Sequence, residues 1–123
     1  MDSIQPRKQR KYRHNAPLHA RKKMVSAHMG KELRAKLSTK RRSAPVRKGD
    51  RVKVMRGEFR GKAGKIVEVD LSSLKVYIEG ITQRNAKGIE KPVPLDPSNL
   101  LILEGDFTKD RLSMVQRSGR AKQ

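Results

Sequence analysis

Apolar and polar residues alternate most cleanly in the middle of the chain. Arg51-Val52-Lys53-Val54-Met55 has period two, the pattern of a strand with one buried face. Arg56-Gly57-Glu58-Phe59-Arg60-Gly61 follows, with two glycines in six residues supplying the positive φ that a tight turn needs. Residues 62–70 are expected as a second strand, with Gly64 marking a bulge or bend. After a turn at Leu71-Ser72-Ser73, Leu74, Val76 and Ile78 lie on one face of a third strand. Residues 80–94 are polar and are expected as a long loop. The apolar run Leu100-Leu101-Ile102-Leu103 follows Pro97 and is too short for a helix. Short strands separated by regular turn signals predict a mainly β fold, a small barrel.

The flanks carry a helical rather than an alternating pattern. Residues 17–24 predict a short helix with Pro17 at its first turn. Residues 31–37 predict another, with Leu33 and Leu37 at i, i+4 and Gly30 as N-cap. Residues 108–115 predict a third, with Thr108 in an N-cap-like position and Leu112 and Val115 apolar. Helices this short are marginal alone and need a partner surface.

Charge sharpens this division. The 123 residues carry 31 Lys+Arg against 12 Asp+Glu, a formal net charge of +19. Residues 1–48 hold 16 of the bases and two acids, whereas residues 49–104 are nearly balanced, with 10 and 8. A segment that repels itself and has few apolar anchors cannot offset roughly 1–2 kcal/mol of backbone entropy per ordered residue. The chain therefore divides into a basic arm over 1–44, a barrel over 45–104 and a basic C-terminal helix and tail over 105–123. The arm is expected to be removable without unfolding the barrel.

Composition also excludes function classes. There is no cysteine, hence no disulfide scaffold, thiolate metal site or Cys nucleophile. No stretch approaches the ~18 apolar residues of a membrane span, and no signal-peptide h-region is visible, so membrane insertion is not expected and the cytoplasm is the expected compartment. Arg21-Lys22-Lys23 and Arg41-Arg42 lack the apolar backing of a membrane-surface helix. The histidines, His14, His19 and His28, lie within dense positive charge that opposes a metal cation. Glu68 with Asp70, and Asp106 with Asp110, are expected to pair with surrounding Lys and Arg rather than to catalyse. Gly57-x-x-x-Gly61-Lys62 lacks the spacing and the Ser/Thr of a phosphate loop. No enzyme, cofactor, metal or small-molecule substrate is expected. The natural partner of such an arm is a polyanion whose bound counterions are released on contact. With only four aromatic residues, Tyr12, Phe59, Tyr77 and Phe107, phosphate contacts and shape recognition of a folded RNA fit better than stacking on single-stranded bases.

Residues 47–69, from Arg47-Lys48-Gly49-Asp50 through Gly57, Gly61 and Gly64 to Val69, resemble a KOW motif. That motif implies two strands and a glycine-containing loop within an SH3-like barrel. The segment Val76-Tyr77-Ile78-Glu79-Gly80-Ile81-Thr82-Gln83-Arg84-Asn85, with Glu90-Lys91-Pro92-Val93-Pro94 and Pro97-Ser98-Asn99-Leu100, is similar to the L-twenty-four family of large-ribosomal-subunit proteins. The arm, with Gln5-Pro6-Arg7-Lys8-Gln9-Arg10-Lys11 and Ala16-Pro17-Leu18-His19-Ala20-Arg21, resembles its archaeal–eukaryotic branch, and the short tail the archaeal form. The resemblance spans roughly residues 3–118.

The resemblance implies a non-catalytic ribosomal protein. Such proteins bind the 5′ region of the large-subunit rRNA, act early in subunit assembly, and sit beside other large-subunit proteins near the exit of the peptide tunnel. On this sequence it implies RNA contacts from the loop bearing Arg56, Gly57, Arg60, Gly61 and Lys62, with Lys65 beyond it. A second group is Gln83, Arg84, Asn85, Lys87 and Lys91. The arm would thread between rRNA helices through Arg7, Lys8, Arg10, Lys11, Tyr12, Arg13 and His14, then His19, Arg21, Lys22 and Lys23, then Arg41, Arg42, Arg47 and Lys48. A KOW-type elongation factor binding RNA polymerase is disfavoured because residues 1–48 are too short and too basic for a polymerase-binding domain. A DNA-compacting barrel would instead show comparable affinity for duplex DNA and rRNA.

Overall fold

The computed structural model describes residues 3–39, 41–107 and 109–117. The chain runs α1 (Pro6–Asn15), α2 (Leu18–Met24), β1 (Ser26–Met29), α3 (Lys31–Lys36), β2 (Ser43–Pro45), β3 (Arg51–Val54), β4 (Ala63–Asp70), β5 (Lys75–Ile78), β6 (Thr82–Arg84), β7 (Glu90–Pro92), β8 (Leu100–Glu104) and α4 (Lys109–Arg117). A single 3-10 turn at Pro97–Asn99 leads into β8. Six strands form one mixed sheet in the order β2-β1-β8-β3-β4-β5, and β6 pairs with β7 in a separate ribbon. The mainly β domain with short flanking helices is the architecture the alternation implies, and it is consistent with the SH3-like domain that the KOW resemblance implies.

The alternating segments behave as their pattern requires. Val52 and Val54 of β3, Val76 and Ile78 of β5, and Leu100 and Ile102 of β8 are buried, each contributing roughly 1.5–3 kcal/mol by leaving water. β4 is long enough to serve two neighbours. Its first residues pair with β3, with Val52 opposite Gly64. Its later ones pair with β5, with Asp70 opposite Lys75. The bulge falls between Ile66 and Glu68 rather than at Gly64, which lets the strand turn the corner between its partners. Gly64 has a different task. A Cβ there would lie 2.7 Å from the Glu79 carbonyl oxygen and 2.9 Å from Ile78 Cγ2. Gly64→Ala is therefore expected to cost about 1–3 kcal/mol through overpacking, read as a lowered denaturation midpoint in urea. An unchanged midpoint would show that the β4–β5 corner is not close-packed there.

Five elements depart from the sequence reading. Two strands lie where only arm was expected. β1 pairs parallel with β8, His28 opposite Leu101, and antiparallel with β2, Ala27 opposite Ala44. Val25, Ala27, Met29, Leu33 and Ala44 are core residues. Removing residues 1–44 would therefore strip one side of the core and leave β8 unpaired on that side, so the barrel is not expected to survive that truncation. The polar stretch 80–94 is a hairpin, β6 with β7, rather than a loop. Residues 6–15, for which no element was expected, form α1. The N-cap-like Thr108 and the tail past residue 117 lie outside the described residues; within them α4 begins at Lys109 and buries Val115.

Asp70 also takes another role than pairing with a base. Its carboxylate accepts hydrogen bonds from the Ser72 and Ser73 hydroxyls, both 2.8 Å, and from the Ser72 N–H at 3.0 Å. Those bonds, the Ser72 hydroxyl first, hold it below the usual carboxylate range. It closes the β4–β5 turn, in which Leu74 has a positive φ of 59° and is buried.

Candidate nucleic-acid interface

The described residues form three ion pairs: Lys75 with Asp96, Arg84 with Glu90 at 4.0 Å, and Arg111 with Asp50. The basic side chains of α1, α2 and the 56–62 loop have no carboxylate partner among the described residues. That surplus of unneutralised charge suits a polyanion.

α1 carries it most plainly. The helix starts at Pro6, whose fixed φ suits the first helical position, and none of its residues is buried. At 100° per residue Arg7, Lys8, Arg10, Lys11 and Arg13 point all round the axis. Like charges at i, i+3 and i+4, such as Arg7 with Arg10 and Lys11, disfavour the helix by roughly 0.2–0.5 kcal/mol each. A polyanion removes that repulsion. His14 is exposed in the last turn, while Tyr12 is only 39% exposed and lines a cleft with Gln9, Arg13 and Ser98.

α2 is held rather than loose, and Arg21 holds it. Its Nε donates to the Ala16 carbonyl at 3.0 Å, and its Nη1 to the carbonyls of Leu71 at 3.0 Å and Ser72 at 2.8 Å. Nη2 donates to the His14 carbonyl. Arg21 is thus a staple between the helical segment and the β4–β5 turn, not the free phosphate contact expected of it. Arg41 is similar: its Nη1 donates to the Met114 carbonyl at 3.1 Å, tying the chain before β2 to α4. Arg42 is exposed beside it. With α2 fixed, His19, Lys22 and Lys23 meet Arg47 and Lys48, from the turn after β2, around one cavity. Sequence separation hid this grouping.

The 55–62 loop is closed by paired backbone bonds, Gly61 N–H to the Val54 carbonyl and Val54 N–H to the Lys62 carbonyl, both 2.8 Å. Gly57 and Gly61 have φ of 97° and 90°, conformations that an L side chain strains. Phe59 packs against the core, and Lys62 Nζ lies 5.1 Å from its ring centre. Phe59 is therefore an anchor, leaving Arg56, Arg60 and Lys62 exposed above it. Lys65 is exposed on β4 opposite Arg51. Arg51 and Lys53 join this basic face; their alternation with Val52 and Val54 was the signal that could have singled them out.

The last group sits on the hairpin. All six residues of β6 and β7 are exposed, and the ribbon is anchored at its base by the buried Ile81. Gln83 lies opposite Lys91, and Arg84 opposite Glu90. Asn85 is the turn residue: its Oδ1 accepts from the N–H groups of Lys87 at 2.9 Å and Ile89 at 3.1 Å. Lys87 and Lys91 are exposed, whereas Arg84 is partly answered by Glu90.

Comparison with known proteins gives this basic, KOW-like chain its relatives. A profile of the ribosomal protein family described as L26 in eukaryotes and as the L-twenty-four protein in archaea matches residues 3–118. A protein of Pyrobaculum islandicum named large ribosomal subunit protein uL24 is 45% identical over 116 residues, covering 94% of this chain and 93% of that one. A protein of the same name from Korarchaeum cryptofilum is 44% identical over 119 residues, covering 95% and 88%.

Proposed function

This chain belongs to the eukaryotic–archaeal family of ribosomal proteins that its profile match defines, and from that premise we propose that it is a structural constituent of the large ribosomal subunit that clamps rRNA through phosphate contacts. The family is structural and non-enzymatic, and no helix among the described residues is long and apolar enough to cross a membrane. The observation that carries the reading is the set of exposed basic side chains without a carboxylate partner among the described residues on α1, α2, the 55–62 loop and, at Lys87 and Lys91, the hairpin. The RNA is the 5′ region of the large-subunit rRNA, bound early in assembly, with neighbouring large-subunit proteins alongside and the site near the tunnel exit. The compartment is the cytoplasm.

Each group has its own physical role. Gly57 lets the backbone at the tip of the 55–62 loop approach phosphates, Gly61 closes the loop through its bond to the Val54 carbonyl, and Arg56, Arg60 and Lys62 add charge. The hairpin reaches away from the core to an adjacent helix through Gln83, Lys87 and Lys91. α1 lies along RNA that neutralises its self-repulsion. Arg21 and Arg41 serve by fixing the surfaces that carry the contacts.

The loop is the cleanest test, because its basic side chains are exposed. Arg60→Ala with Lys62→Ala is expected to weaken binding to large-subunit rRNA and to reduce the slope of log K against log salt by about 1.4–1.8, two phosphate contacts' worth. Filter binding across a salt series measures it, with thermal unfolding as the control. An unchanged slope would remove the loop from the interface.

A further inference from the structure

The cavity beneath α2 has a chemistry that phosphate clamping does not use. Its rim is His19, Lys22, Lys23, Arg47 and Lys48, and its volume is about 460 Å3. Its floor is apolar, formed by Val25, Pro45, Val46, Val69, Leu71 and Met114. A regular RNA duplex presents phosphates and sugars outward, with its bases stacked inside. Such a surface would satisfy the rim and leave the floor against water. The floor calls for a flat, weakly polar group carried on an anionic chain.

We propose that this cavity seats one unpaired nucleotide of the bound RNA, its base flat against the floor and its flanking phosphates on the rim. This rests on the rRNA-binding reading above and names what that site recognises. Three observations support it. The volume lies within the ~300–1,000 Å3 of clefts that enclose a small ligand, room for one base and not for a helix. Four side chains of permanent positive charge ring an aliphatic floor, which complements a nucleotide on both counts. The walls are also preformed. Arg21 ties α2 to the carbonyls of Leu71 and Ser72. On the other side Arg111 Nη2 donates to the Pro45 carbonyl at 2.9 Å and Asp50 Oδ2 accepts from the Arg47 N–H at 3.0 Å. Both walls stand ready without the ordering cost of a flexible site.

Pocket recognition of an unpaired base also gives the protein something that phosphate contacts, which carry no sequence information, cannot: selection of one nucleotide of its RNA.

The test is ultraviolet crosslinking of the full chain bound to archaeal large-subunit rRNA, with the nucleotide–peptide adducts located by mass spectrometry. A parallel binding assay compares an RNA hairpin bearing a single-nucleotide bulge with the same hairpin lacking it. The proposal expects adducts on the floor or rim, at Met114, Leu71 or Lys22, from one rRNA nucleotide, and tighter binding of the bulged hairpin. Leu71→Trp, which fills the floor, should abolish that preference, and Lys22→Glu with Lys48→Glu, on the exposed rim, should lower affinity at least tenfold. A stable complex whose adducts all come from α1, the 55–62 loop or the hairpin would overturn the pocket and leave rRNA binding standing. Equal binding of the two hairpins would do the same. Crosslinks from the rim to a neighbouring protein in reconstituted subunits, with no nucleotide adduct, would assign the cavity to a protein partner. Failure to form any complex with rRNA would defeat the wider reading instead.

Discussion

Asp50→Ala is expected to destabilise the protein by about 3–5 kcal/mol, the cost of leaving a buried charge without its partner. Asp50 and Arg111 are 2% and 1% exposed. They meet in a two-pronged pair, with Arg111 Nη1 donating to Oδ1 at 2.8 Å and Nη2 to Oδ2. The carboxylate also accepts from the Arg47 N–H, and the guanidinium donates to the Pro45 carbonyl and lies 4.2 Å from the centre of the Phe107 ring. Even Gly105 is committed to the pair, since a Cβ there would be 2.7 Å from Asp50 Oδ1. Removing the carboxylate leaves the buried guanidinium without a counter-charge. Against a total stability of roughly 5–15 kcal/mol, the loss is large, and urea denaturation reads it directly. Asp50→Leu combined with Arg111→Met should recover much of it, because an apolar pair carries no desolvation cost. Arg111→Lys should not, since an ammonium cannot span both carboxylate oxygens and the Pro45 carbonyl. If Asp50→Ala shifts the midpoint no more than a surface substitution does, the pair is not what fastens α4 to the sheet.

Deleting residues 1–15 should leave the fold intact and cripple RNA binding. α1 has no buried residue, and of the bonds at Arg21 only that to the His14 carbonyl is lost. The deletion removes Arg7, Lys8, Arg10, Lys11 and Arg13. If each meets a phosphate, the salt slope falls by about 3.5–4.5, and affinity near 0.15 M salt falls by on the order of a hundredfold or more. Deleting residues 1–44 instead should unfold the chain, because β1, β2 and the buried Val25, Ala27, Met29, Leu33 and Ala44 go with it. The contrast between the two truncations separates the RNA-binding arm from the part of the basic segment that belongs to the domain. A 1–15 deletion with an unaltered salt slope would take α1 out of the interface.

That contrast also shows where sequence reading stops. The strands with large alternating side chains, Val52 with Val54 and Val76 with Ile78, were legible from period two, whereas Leu74, expected on the same strand face, sits in the preceding turn at positive φ. β1 was not. Ser26-Ala27-His28-Met29 has small and polar residues, and its place is decided by parallel pairing with β8 some seventy residues later. β2 contains Pro45, a residue that argues against a strand except at a sheet edge, which is where it lies. α1 has no apolar stripe to reveal it. Nothing in the local sequence marks Arg111 for burial; its partner Asp50 is 61 residues away. The interface divides the same way. Exposed bases in the loop and hairpin could be picked from the KOW-like segment and its continuation. That Arg21 and Arg41 turn inward, and that His19, Lys22 and Lys23 share a cavity with Arg47 and Lys48, depends on how α2 docks.

The most direct measurement of the central claim is sedimentation of a native lysate on a density gradient, probing for this chain before and after a high-salt wash. The account predicts stoichiometric migration with the large ribosomal subunit that survives the wash. Migration with RNA polymerase, with DNA, or at the top of the gradient would contradict it.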